Sequence, residues 1–300
     1  MDAAPVFPAA RTWRPLLELA LSEDIGSGDV TGAVVLGRDD PGRSVVEARQ
    51  DLVVCGLELV EAVFRAVDPT LVIRCLTRDG QLATPGEPLV EVSGRLVSIL
   101  AAERTALNFL GRTSGIATHT RRFVNAVAGT GARIVDTRKT LPGWRSLDKY
   151  ATAIGGGVNH RMGLYDGILL KDNHVAAAGG VELAVKNALS RAPAALRVQV
   201  EVENLEQARA AVEAGADFLL LDNMSPRAMR EVVDEFAHRA ILEATGGVGL
   251  ENVREIADTG VHRISIGALT HSAPSADVAL ELADDSAESD GGSAPWGVPR

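Results

Sequence analysis

Six short apolar runs mark the C-terminal two-thirds of the chain, and each stops on a polar, charged or glycine residue. They are RIVD at 133–136, ILLK at 168–171, VQVE at 198–201, LLLD at 219–222, LEAT at 242–245 and ISIG at 264–267. From Gly131 onward such runs alternate with amphipathic stretches: EQARAAVEAGA precedes DFLLLD, SPRAMREVVDEF precedes AILEAT, and ENVREIADTG precedes RISIGA. Alternation of this kind predicts βα units and a parallel sheet whose strands, covered on both faces, read as near-continuous apolar runs. The pattern supports a parallel α/β barrel with six clear strands and leaves a seventh or eighth open. In such a barrel the chemistry sits at the C-terminal ends of the strands.

The first third reads differently. WRPLLELALSED at 13–24 has helical apolar spacing and leads into the turn-rich IGSGDVT. RSVVEARQDLVVCG, LVIRCL and PLVEVSG read as strands, GLELVEAVFRAV as an amphipathic helix, and TRDGQLATPGE as turns. Lacking the later alternation, this part predicts a separate α+β domain over residues 1–112, joined to the barrel by a helix from about Ser98 to Phe109 or beyond. The barrel domain is assigned to 113–283. The acidic, small-residue segment DDSAESDGGSAPWGVPR predicts a disordered tail over 284–300.

Composition narrows the function. Three hundred residues suffice for a sizeable core, and the net charge of −10 with 4% aromatics argues against a nucleic-acid partner. No stretch approaches the ~20 apolar residues of a membrane span. The N-terminal segment lacks the apolar core of a signal peptide. Cys55 and Cys75 have no metal-ligand spacing and read as reduced thiols, so a cytoplasmic protein is expected.

Against that acidic background the cations are local. Arg138 and Lys139 follow the first barrel strand, Arg161 lies in an Asn-His-Arg triplet, and Lys171 ends the second strand. Solvated loop charges are the plain alternative, but three clusters on one rim favour convergence on a polyanion. Arginine grips carboxylate or phosphate oxygens bidentately and lysine supplies a compact charge. Glu201 and Asp222 end consecutive strands. They suit either Mg²⁺ coordination with stabilisation of a cationic transition state, or N-capping of the helices that follow. Thr245-Gly246-Gly247 and Gly267-Ala268, with His271 nearby, offer backbone N–H groups to a phosphate, although glycine after a strand is also ordinary turn chemistry. Gly155-Gly156-Gly157 reads as a helix end. Nothing in the spacing singles out Arg104.

At this point longer motifs become recognisable. ERTALNFLGRTSGIAT from Glu103, DTRKTLPGWRSLDKYATAIGGGVNHR from Asp136, LLKDNH from Leu169, VEVENLEQA from Val200, LLLDN from Leu219, EATGG from Glu243 and GALTHS from Gly267 together resemble the quinolinate phosphoribosyltransferases. With EDIGSGDVT near Glu23 the likeness spans about residues 15–280. Trp144, Leu141 and Thr245 are its small departures. The resemblance implies an N-terminal α/β sandwich domain and an incomplete, seven-stranded α/β barrel. It implies a reaction that joins quinolinate to 5-phosphoribosyl-1-pyrophosphate, releasing pyrophosphate and CO2 and giving nicotinate mononucleotide for NAD biosynthesis.

By the same resemblance, Arg138, His160, Arg161 and Lys171 bind quinolinate, with Arg104 reaching in from the neighbouring subunit of a homodimer. Lys139 matches a lysine beside the pyrophosphate. Glu201 and Asp222 match the acids that hold Mg²⁺. Thr245, Gly246, Gly247, Gly267, Ala268 and His271 match the 5′-phosphate region. Read from the residues alone, a Schiff-base aldolase using Lys171, a related enzyme with another acceptor, and a non-catalytic sensor of the same anions stay open.

Overall fold

The computed structural model describes residues 5–283, so the predicted tail at 284–300 lies outside the described residues. The described residues divide into two compact units, one formed by 5–118 with 274–283 and the other by 119–273.

The first unit carries β1 (Pro41–Ala48), β2 (Leu52–Val53), β3 (Val72–Cys75), β4 (Leu82–Ala83) and β5 (Pro88–Arg95). The single strand predicted across 43–56 is thus two, separated by the polar Arg49-Gln50-Asp51 turn. β3, β5 and β1 pair antiparallel, and Val278–Leu282 pairs antiparallel along the other edge of β1. Helix Leu57–Val67 forms as its apolar spacing predicts and buries Leu59, Val60, Val63 and Phe64.

Val278–Leu282, at the end of the predicted barrel segment 113–283, pairs with β1. The returning segment lies on the long helix Leu96–Ala126, where Ala276 donates a backbone hydrogen bond of 2.8 Å to the Gly111 carbonyl. A Cβ on Gly115 would stand 3.0 Å from the Ala276 nitrogen, so the missing side chain makes this approach possible. At 31 residues the helix is far longer than the stretch from Ser98 to Phe109.

The second unit contains β6 (Arg133–Val135), β7 (Ile168–Leu170), β8 (Val198–Val202), β9 (Phe218–Asp222), β10 (Ile241–Thr245) and β11 (Arg263–Ser265). All six runs read from the sequence are strands. They form one parallel sheet in the order β6-β11-β10-β9-β8-β7, so the first of them pairs with the last. An isolated parallel bridge joins Val135 to Val158. Val200, Val202, Leu219, Leu221, Leu242, Ala244, Ile264 and Ile266 belong to one core with the helix residues Ala208, Val212, Met229 and Val232. Burial of these side chains, worth roughly 1.5–3 kcal/mol for each large aliphatic group, holds the helices to the sheet.

Candidate active site

Side chains alternate across a strand, so the residues between those core positions face the other way. They are Gln199 and Glu201 on β8, Leu220 and Asp222 on β9, Glu243 and Thr245 on β10, and Arg263 and Ser265 on β11. One face of the sheet is therefore wholly apolar, while the other mixes the apolar Phe218 and Leu220 with polar and charged side chains. The polar positions of this second face form a strip that ends at the strands' C-termini.

Glu201 and Asp222 are not helix caps. Asn204 caps Leu205–Glu213, accepting from the Gln207 N–H at 2.9 Å, and Ser225 caps Pro226–Phe236, accepting from Ala228. Both carboxylates are left half-buried on the rim. Burial pushes the Glu201 carboxyl above its ordinary range, and the Asp222 charge pushes it further, while Lys171 acts in the opposite sense. The register explains the grouping: Leu170 pairs with Val200 and Glu201 with Leu220, which sets Lys171, Glu201 and Asp222 on adjacent strand ends. Two carboxylates that repel each other when ionised suit an oxygen-seeking cation. Among the described residues no group of three or more His, Cys, Asp or Glu is gathered to hold a metal. A pair of carboxylates could hold only a cation that takes the rest of its shell from water and substrate oxygens.

Farther along the rim, Thr245 stands beside Asp222 in register. Gly246 (φ +93°) and Gly247 (φ +59°) follow in the left-handed region, with open space beside Gly247. A Cβ on Gly267 would come within 2.8 Å of Lys139 Cδ and 3.1 Å of His271 Nε2, so those two side chains converge on the glycine. The Thr270 hydroxyl donates to the Lys139 carbonyl at 2.9 Å and fastens the two loops together. Ala268 begins the four-residue helix that His271 ends.

A third group surrounds Arg138 and Arg161. The Arg161 guanidinium donates to the Gly167 carbonyl at 2.9 Å, and burial together with the Arg138 charge lowers its affinity for its proton. Arg138 Nε is buried and meets no acceptor among the described residues. Two guanidinium groups that repel each other fit an anionic ligand.

His160, unlike its neighbour Arg161, is held uncharged. Its Nδ1 accepts from the Arg161 N–H at 2.7 Å and its Nε2 lies 2.9 Å from Gln199 Oε1, an arrangement that fixes the neutral Nε2–H tautomer. Burial, opposed by the Gln199 contact and reinforced by Arg263, Lys149 and Arg161, holds the ring's pKa down to about 4. Arg104 belongs to the first unit, where its side chain is 63% exposed and lies 3.9 Å from Glu103.

Sequence reading overlooked the support beneath these groups. Buried Asp136 accepts from Lys149 Nζ and from the His160 N–H, and Lys149 Nζ also donates to the His160 carbonyl at 3.1 Å. Asn159, with its amide nitrogen turned toward them, donates to Asp136 Oδ2 and to the Lys149 carbonyl. Deeper in the strip, Glu243 is fully buried, 2.8 Å from Arg263 and 3.6 Å from His160 Nε2. The available signal was the alternation inside VQVE, LEAT and HRISIG, whose middle residues are polar.

A parallel α/β sheet with rim carboxylates and glycine loops at its strand ends, and the Arg138–Arg161 pair on neighbouring loops, has the make-up of an anion-binding α/β protein. Residues 29–114 match the family model of the quinolinate phosphoribosyl transferase N-terminal domain, and residues 116–281 that of its C-terminal domain. The chain belongs to the quinolinate phosphoribosyltransferase family. It is 39% identical over 269 residues to a probable nicotinate-nucleotide pyrophosphorylase (carboxylating) of Bacillus subtilis (strain 168), covering 90% of this chain and 93% of that one. It is also 39% identical over 296 residues to the mitochondrial quinolinate phosphoribosyltransferase (decarboxylating) 2 of Nicotiana glauca, covering 92% and 84%. The nicotinate-nucleotide pyrophosphorylase structure from Francisella tularensis superposes with a TM-score of 0.89 at 35% identity, covering 94% of this chain and all of that one.

Proposed function

We propose that this protein is a pentosyltransferase that transfers the phosphoribosyl group of 5-phosphoribosyl-1-pyrophosphate to quinolinate with decarboxylation, giving nicotinate mononucleotide, pyrophosphate and CO2 in NAD biosynthesis. The observation that carries the reading is the register that brings Lys171, Glu201, Asp222 and Thr245 to adjacent strand ends, with Arg138 Nε buried and without an acceptor among the described residues.

In this reading Arg138, Arg161 and Lys171 grip the two adjacent carboxylates of quinolinate. His160 serves as a neutral group that fixes the Arg161 backbone. The Thr245–Gly247 loop, Gly267, Ala268 and His271 receive the 5′-phosphate, and Lys139 meets the pyrophosphate. Glu201 and Asp222 would hold Mg²⁺, which when bound neutralises the departing pyrophosphate. The same two carboxylates favour positive charge at the ribosyl carbon as the C–O bond to pyrophosphate breaks. The pyridine nitrogen then attacks that carbon. Its new positive charge accepts the electron pair of the adjacent C–C bond, CO2 leaves, and a proton takes its place.

The finer architecture belongs to the same proposal. The parallel bridge from Val135 to Val158 supports a seventh, short barrel element beside β6. Family membership supports a homodimer in which Arg104 completes the neighbour's quinolinate site. The two unpaired thiols, Cys55 and Cys75, support a reducing, cytoplasmic setting. No helix among the described residues is long and apolar enough to cross a membrane.

The test is an assay of pyrophosphate and CO2 release from quinolinate, with nicotinate as the control acceptor. Removing one carboxylate leaves cations unpaired, so catalytic efficiency with nicotinate should fall by ~10⁴. Equal efficiency on both acids overturns the acceptor assignment, and borohydride-trapped substrate on Lys171 would point to the aldolase alternative.

A further inference from the structure

Asn223 is the one non-glycine residue with positive φ among the described residues, at 52°. Asparagine tolerates this left-handed conformation better than most residues, yet the position still asks for a reason. Three contacts supply one. Its backbone N–H donates to the Thr245 carbonyl at 3.0 Å, tying the end of β9 to the end of β10. Its side-chain nitrogen donates to Asp222 Oδ2 at 2.9 Å. A carboxylate only accepts, so the amide must present its nitrogen to Asp222 and its oxygen to the other side. That oxygen lies over Gly246, where a Cβ would overlap both the Asn223 amide and, at 2.9 Å, the Asn223 nitrogen.

One residue therefore aims a rim carboxylate and fills the space that keeps residue 246 a glycine. We infer that Asn223 is a positioning residue that sets the Asp222 carboxylate and the Gly246-Gly247 loop in fixed relation, so that the two ends of one phosphoribosyl pyrophosphate are bound as a unit. The inference rests on the function proposed above. Asn223 itself need not touch the substrate. Neither the backbone bond nor the amide contact reaches the arginine pair, so the acceptor half of the site should be indifferent to it.

Three variants separate the contributions. Asn223→Gly keeps access to positive φ and removes the amide. Asn223→Asp keeps the shape and replaces the donor facing Asp222 with an acceptor. Gly246→Ala pushes back against Asn223 from the other side. Calorimetric binding of 5-phosphoribosyl-1-pyrophosphate with Mg²⁺, without acceptor, should weaken by about tenfold or more in each, as expected for losing a charge-assisted hydrogen bond. Quinolinate binding should stay at the wild-type value, and steady-state KM should rise for the phosphoribosyl donor alone.

Wild-type donor affinity in Asn223→Gly and Asn223→Asp overturns the inference, as does equal weakening toward both substrates, which marks a general structural defect. If Asn223→Gly does not fold, the isosteric Asn223→Asp carries the same test. Failure of the wild-type protein to form nicotinate mononucleotide would count against the proposed function instead, since direct donor binding is read separately.

Discussion

Lys149 Nζ lies 2.5 Å from Asp136 Oδ1 where neither side chain reaches solvent, and the pair grips both backbone polar groups of His160. Burial drives both groups toward neutrality and their mutual attraction opposes it, and the balance leaves the Asp136 carboxyl raised to about 6 and the Lys149 ammonium lowered from its ordinary value. At neutral pH the geometry is that of a hydrogen-bonded ion pair. It stands directly beneath the loop that bears Arg161.

Removing one partner strands the other charge in the interior. Lys149→Met should lower unfolding stability by about 3–5 kcal/mol, whereas Asp136→Asn combined with Lys149→Met should recover much of that loss. Urea unfolding of the two variants decides it. A single variant as stable as wild type would show that the pair contributes nothing net.

The neutral state of His160 gives a pH dependence. An unfolded chain takes up a proton on this residue near its ordinary value of 6.5, while the folded protein resists until about 4. Between those values the unfolded state binds more protons, so stability falls as pH drops through 6.5 and stops falling from this cause near 4. The full loss is about 3 kcal/mol at most. Thermal unfolding from pH 7.5 to 4.5 should show this slope, and it should shrink in His160→Asn. Imidazole nitrogen shifts that titrate near 6.5 in the folded protein would falsify the assignment.

How much of this was legible follows from what a one-dimensional pattern records. Strand ends were readable because a charged residue after an apolar run marks both the end of the strand and its rim position. The interior strip was not. Gln199 and Glu243 sit inside runs short enough to pass for continuously apolar strands; both are buried, but they lie outside the apolar core that their neighbours Val200, Leu242 and Ala244 join. Lys149 stands in a helix amid SLDKY, where lysine is ordinarily solvated, and nothing local signals that Asp136 waits across the fold. The return of Val278–Leu282 to β1 was hidden because edge pairing depends on a partner more than 200 residues away. Asn223 closes the LLLDN motif, but its left-handed backbone angle leaves no trace in the sequence.

Loss of a rim carboxylate should separate the two halves of the site. Glu201→Ala or Asp222→Ala is expected to depress Mg²⁺-dependent turnover by about 10²-fold or more, the range seen when a preorganised electrostatic group is removed. Quinolinate binding, measured by calorimetry, should change little. Wild-type turnover by both variants at limiting Mg²⁺ sinks the assignment.

The remaining prediction concerns Arg104, which stands exposed on the long helix of the first unit. If it completes a neighbour's quinolinate site, the active unit is a homodimer with two shared sites, each built from one subunit's Arg104 and the other's Lys139. Arg104→Ala and Lys139→Ala chains should each be inactive alone, because every site in either homodimer lacks one residue. In a mixed dimer one site lacks both residues and the other has both intact. Random exchange of equal amounts makes half the dimers mixed, each with one good site of two, so activity should recover to about a quarter of wild type in a closed two-fold dimer with independent sites. Recovery should appear only after the subunits have been allowed to exchange, which distinguishes shared sites from residual activity in either parent. An exchanged mixture no more active than its parents, or a stable monomer with normal turnover, rules out the shared-site arrangement.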